Sequence, residues 1–268
     1  MLRLLSRASA LALVSCTVLP NEPPPSDLQA RADAVAARVS RIRDLEQRRS
    51  VPAARQSKAE LHEVFDVEIE EEWREGGAGM ERAMKAFGLM PSDLDLKPFL
   101  GEFLRESVGG YYDPEEERFF VIADDADGTS DGRDDFDDGE PGLDEDDAAE
   151  EFVLAHELTH AIDDQAFDFD RIEEEREFDD DRALAFSSLV EGSAMEGGVE
   201  YVLDRGGLPM SSAGPFLSPL IGLFSGLSPA RIDDLTSDLD DDQAAVMRRA
   251  PPILKYSLTF PYFQGWAF

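Results

Sequence analysis

Apolar residues recur at helical spacing through much of this chain. In 92–108, Leu94, Leu96, Phe99, Leu100, Phe103, Leu104 and Val108 predict a helix that Gly109 and Gly110 end. Further helices are predicted over 26–49, capped by Ser26 or Asp27, and over 58–75 and 80–88, parted by Gly76, Gly77 and Gly79. Tyr111, Tyr112, Asp113 and Pro114 followed by the β-forming run 119–122 read as a hairpin turning at Asp-Pro. Helices are again expected over 152–165, over 182–196 with a cap within 179–181, and over 238–249. Segment 216–227 is apolar but broken by Pro and Gly, which suits a cover over the core, and the apolar end 260–268 is expected to be buried. The expected fold class is α+β: a mainly helical domain with a small hairpin or sheet packed against helix 152–165.

Composition adds a constraint on partners. The 268 residues are 42% hydrophobic, enough for one core, but 59 acidic side chains face 25 basic ones for a net charge of −34. Such a surface lacks the cationic face that phosphate binding needs, so nucleic acid is excluded as a partner. Residues 124–151 hold 15 of the acids with a single Arg and are expected to form a solvated loop. Asp125, Asp127, Asp131, Asp134 and Asp135 are spaced closely enough to suggest calcium (Ca2+), but Ser130 stands where an EF-hand needs Gly and no Glu closes the loop. A calcium cofactor is therefore not expected. With 21 Arg and 4 Lys, the acid excess also suits a salty habitat.

The start of the chain reads as an address. Arg3 and Arg7 precede a short apolar stretch, and Leu13, Val14 and Ser15 lead into Cys16, the one cysteine. That order resembles a bacterial lipobox: residues 1–15 would be a signal peptide, and Cys16 the lipidated first residue of an exported lipoprotein facing the periplasm or cell surface. Residues 16–57 then form a tether, rich in Pro from 20 to 25, and an N-terminal helix, with the main domain at 58–268.

The chemistry concentrates at His156-Glu157-Leu158-Thr159-His160. On a helix the two histidines lie one turn and about 40° apart, so both rings can address one ion, with Glu157 beside it. Two histidines with a third ligand and an open position describe a catalytic zinc (Zn2+) site. No histidine follows His160, and positions 163 and 166 are Asp and Ala, which excludes a third His at the far end of an extended motif. An acid from a second helix remains. Glu191, set among apolar and small residues, is the choice, because a buried carboxylate needs a cation. Glu196 and Glu200 point away from its face, and Gly192, Ser193 and Ala194 would let the two helices approach.

Residues 153–165 taken with Leu189, Val190, Glu191, Gly192 and Ala194 resemble the gluzincin group of zinc metallopeptidases. They resemble more closely a group of bacterial secreted proteins in which a Gly-x-Tyr-Asp-Pro-Glu segment precedes an Ala-His-Glu-Leu-Thr-His helix and a Leu-x-Glu-Gly-x-Ala helix. Gly110 to Glu115 supplies the first segment here, and the likeness spans roughly residues 60–205. It implies a zincin-like domain, a peptide or protein substrate lying along 119–122 as the edge strand, and further chain beyond residue 268. Two features depart from it: Met195 stands where thermolysin-type members place an Asp to brace the first histidine, and the acidic stretch 124–151 has the character of an insertion.

The implied reaction is hydrolysis by metal-activated water with Glu157 as general base. Tyr111, Tyr112, Tyr256 and Tyr262 are all open as the donor to the oxyanion, whereas Tyr201 lies too far along its helix. The rival is a non-catalytic surface lipoprotein whose zinc merely ties two helices together; a calcium-dependent adhesin is a third reading.

Overall fold

A computed structural model describes residues 28–107, 109–123, 145–169, 171–172, 180–208 and 242–268, with positions 210, 213, 214, 217, 222, 228 and 230 between them. The lipobox, the calcium candidates in 124–144 and most of 216–227 lie outside the described residues. The architecture is mainly helical with one small mixed sheet, an α+β arrangement. No helix among the described residues is long and apolar enough to cross a membrane.

Helix α1 (Leu28–Arg43) buries Ala32, Val35, Ala36 and Val39 along one stripe. It stops short of the 49 expected from sequence. Asp44 adopts φ 53°, the Leu45 N–H donates to Ser40 O at 3.1 Å, and Ser40 Oγ donates to Leu45 O at 2.5 Å, a left-handed cap that ends the helix. Strand β1 (Ala53–Ser57) carries no strand pattern in its sequence; its partner imposes the conformation. Ser57 and Glu60 then form a capping box that starts α2 (Lys58–Glu72), which buries Leu61, Phe65 and Ile69. A π-helical turn at Trp73–Gly77 leads into α3 (Ala78–Ala86), and α4 (Leu96–Ser107) follows.

Strands β2 (Gly110–Asp113) and β3 (Arg118–Ala123) form the expected antiparallel hairpin, but the sheet order is β1-β3-β2, with β1 parallel to β3. The 119–122 run is therefore the central strand and not an edge. Both of its sides are already paired, and β2 is the edge that borders the histidine helix.

That helix, α5 (Glu145–Phe167), starts inside the acidic stretch, seven residues before the predicted 152. A helix N-terminus favours acidic residues, so a run unfit for a core can still begin a helix. From Phe152 to Gln165 nearly every residue is buried, as expected of a helix enclosed on all sides. Helix α6 (Asp180–Arg205) runs antiparallel to it and is nine residues longer at its C-terminal end than the pattern predicted. Helices α7 (Asp242–Arg249) and α8 (Pro252–Ala267) complete the chain. One apolar cluster gathers Leu61, Phe65, Phe99, Phe103, Leu254 and Phe263; a second gathers Val35, Val39, Phe119, Leu158 and Ile162. Helix α5 contributes to both, through Phe152 on one side and Leu158 on the other.

The backbones of α6 and α8 approach each other closely. A Cβ on Gly192 would lie 2.1 Å from the carbonyl carbon of Gly265, and one on Gly265 would lie 1.9 Å from Ser188 O. Gly192 thus receives the terminal helix, not α5 as its sequence neighbourhood suggested. We expect Gly265→Ala to lower the unfolding free energy by about 2 kcal/mol through overpacking. Denaturant unfolding of the metal-free chain measures this, and an unchanged midpoint would contradict the close crossing.

Candidate metal centre

Two facing helices bring the donors together. His156 and His160 project from α5 one turn apart, and Glu191 projects from α6. The Nε2 atoms of the two rings are 3.2 Å apart, and Glu191 Oε2 is 3.3 Å from the first and 3.4 Å from the second. A tetrahedral ion with bonds of about 2.0–2.1 Å requires donors about 3.3 Å apart. The three residues are exposed by 3%, 6% and 1%, so the donors are held in protein rather than at a mobile surface. The group could hold a metal ion.

The electrostatics fit the same conclusion. Burial pulls His160 down, but the charge of Glu191, its hydrogen bond to the ring and the charges of Glu157 and Asp163 together outweigh it and lift the ring to about 9. Burial likewise pushes Glu191 up, yet the neighbouring imidazoles, His160 foremost, hold it at about 2. For His156 burial wins over its bond to Glu191 and keeps the ring below its usual value. In the metal-free chain a protonated His160 therefore stands where the cation would balance Glu191.

Glu157 lies beside these donors and is 1% exposed. Its Oε2 accepts the Tyr112 backbone N–H of strand β2 at 3.0 Å, while Oε1 has no hydrogen-bond partner among the described residues. Burial pushes its carboxyl well above the usual range, against the pull of His160.

The surroundings hold the two helices in register. At one end Arg205 pairs with Glu151 at 3.0 Å, both buried. At the other, Ser193 Oγ donates to Asp163 Oδ2 at 2.5 Å, and Arg43 from the end of α1 donates to Ser193 Oγ at 2.5 Å and to Asp163 Oδ2 at 3.2 Å. Arg43 and Asp163 carry no sequence signal for this role, since their meeting depends on three helices converging. His156 has no side-chain acceptor at Nδ1 among the described residues, in keeping with Met195 at the bracing position; the backbone of Ala194 acts on the ring. Phe152 and Tyr262, each with its ring centroid 6.1 Å from that of His156, hold it by packing instead.

The tyrosines separate clearly. Tyr111 donates to Gln56 Oε1 at 3.0 Å and Tyr112 to Asp164 Oδ2 at 2.8 Å, while Tyr256 is partly exposed against Phe260. Tyr201 lies buried under the Arg38 guanidinium. Of the five tyrosines, Tyr262 is the one whose ring stacks on an imidazole of the candidate metal group, that of His156.

Ion binding must displace the His160 proton, so uptake at pH 7 is expected to release at least one proton per ion, and none from His160 above its value of about 9. Calorimetric titration in buffers of different ionisation enthalpy measures this. Replacing His156, His160 or Glu191 by Ala should weaken binding by more than the roughly 100-fold typical of losing an outer partner; comparable affinity in any of the three would exclude that residue as a ligand.

Comparison of the chain with protein-family models, with curated proteins and with solved structures finds no match in any of the three.

Proposed function

We propose that the protein is a zinc-dependent peptidase of the gluzincin type, with a zincin-like domain, acting on peptide or protein substrates. The observation that carries this reading is the state of Glu157. It is a buried carboxylate beside the donor triad, with one oxygen tied to the Tyr112 amide and the other without a partner. A site that merely cross-ties helices has no use for a second buried acid beside Glu191, which costs free energy where no cation or donor satisfies it.

Zinc held by His156, His160 and Glu191 would supply Lewis acidity, acidifying a water and polarising the scissile carbonyl. Glu157 then has the general-base role: Oε1 takes the water proton and returns it to the leaving amine, while Oε2 keeps its bond to Tyr112. Tyr262, stacked on His156, is the tyrosine placed to serve as the oxyanion donor in this reading. The reading includes export as a lipoprotein anchored in the membrane through Cys16, since the sole cysteine falls at the lipobox position. Labelled palmitate should enter the parent chain and not Cys16→Ala; equal labelling would remove the anchor.

The rival reading, a structural zinc site on a non-catalytic surface lipoprotein, draws on the depth of the triad, whose ligands are exposed by 6% or less. Glu157→Gln separates the two. Zinc content should stay at one ion per chain while casein cleavage falls by at least about 100-fold, the contribution typical of acid–base catalysis. Cleavage that survives the substitution would defeat the assigned chemistry, and a parent chain that binds zinc without cleaving would favour the rival.

A further inference from the structure

The stretch Gly110 to Glu115 adds no donor to the group of His156, His160 and Glu191, yet it lies against the helix that carries the two histidines, and most of its parts have plain structural tasks. Asp113 Oδ1 accepts the N–H groups of Glu115 and Glu116 at 2.9 and 3.1 Å, which closes the turn. Tyr111 fastens the hairpin to β1 through Gln56. A Cβ on Gly110 would lie 2.9 Å from Phe120 O, so glycine lets β2 settle on β3. Tyr112 does something else.

Across the hairpin Tyr112 faces Phe119. The Ile122 N–H donates to Gly109 O, so the hydrogen-bonded pairs fall at 109, 111 and 113, and the amide of Tyr112 points off the sheet edge. There it meets Glu157 Oε2 at 3.0 Å, and its hydroxyl reaches Asp164 Oδ2 at 2.8 Å. Asp164 Oδ1 in turn accepts the Phe169 N–H at 2.9 Å, just past the end of α5. Glu157 and Asp164 are seven residues apart, two turns or about 10 Å along one face of the helix. Tyr112, Glu157 and Asp164 are all buried.

One residue therefore ties the edge strand to the ligand helix at two points. A single bond would leave the strand free to pivot; two fix both its distance and its rotation. The terminal torsion of a glutamate is roughly two-fold, so its oxygens are interchangeable until a donor distinguishes them. We propose that Tyr112 is a positioning residue for Glu157: anchored to Asp164 through its hydroxyl, it holds its amide on Oε2 and so leaves Oε1 as the oxygen that exchanges protons. The assignment rests on the peptidase reading and deepens it.

The experiment compares zinc content, kcat and KM for the full chain and for Tyr112→Phe, Asp164→Ala, Asp164→Asn, the double variant Tyr112→Phe with Asp164→Ala, and Glu157→Gln. Tyr112→Phe is expected to keep its zinc and to hold KM within about twofold, while kcat falls about tenfold, the scale of one buried hydrogen bond. Asp164→Asn, which keeps an acceptor oxygen, should retain more activity than Asp164→Ala, and the double variant should be no worse than the poorer single. Equal kcat for Tyr112→Phe and a parent whose cleavage depends on Glu157 would overturn this assignment and leave the peptidase reading standing. So would a loss of zinc with unchanged kcat per bound ion, because that is what a merely structural tie would give. A parent chain that does not cleave would overturn both.

Discussion

An ionised carboxylate, 1% exposed and set between two imidazoles, is the interaction on which the rest of this structure depends. Glu191 can stay charged at that depth only because positive charge is supplied within bonding range. The raised value of His160, about 9, favours a protonated ring as that source, and a bound cation would supply the charge more fully. Each large helical contact serves that arrangement. Helix α5 brings the rings, α6 brings the carboxylate, and α8 presses its backbone onto Gly192, the residue next to Glu191.

The ligand helices are locked at both ends by polar ties with the triad between them. Glu151 and Arg205 close one end, and Asp163, Ser193 and Arg43 the other. Buried ties of this kind add little net stability, but a slip of one helix along the other would strand a charge without a partner. They therefore act mainly on register, which is what a donor set with separations of 3.2 to 3.4 Å requires. Arg43 draws α1 into that lock, so the N-terminal helix belongs to the site's frame.

The small sheet serves the same centre through its edge strand. Strand β3 is held between β1 and β2, which leaves β2 as the edge beside α5. Because the pairing phase turns the Tyr112 amide outward, the edge meets Glu157 with a donor. The two oxygens of Glu157 consequently have different surroundings, beside a group of side chains that could hold a metal ion.

Sequence by itself determined what is local. The spacing of His156 and His160 put both rings on one helical face, the Asp-Pro turn and β-forming run gave the hairpin, and exclusion of other histidines and acids singled out Glu191. Periodicity, turn chemistry and burial preference act over a few residues, so a single chain reveals them. The tertiary structure decided whatever joins distant segments: β1, whose Ala-Ala-Arg-Gln-Ser carries no strand signal until β3 offers its edge; the meeting of Gly192 with Gly265; the clamp of Arg43 on Asp163; and the reach of Tyr112 to Asp164. It also moved the start of α5 into the acidic stretch and put the 119–122 run at the centre of the sheet. Those outcomes depend on which faces meet in space, and the energy of such contacts comes from desolvating partners far apart in the chain, which no local pattern encodes.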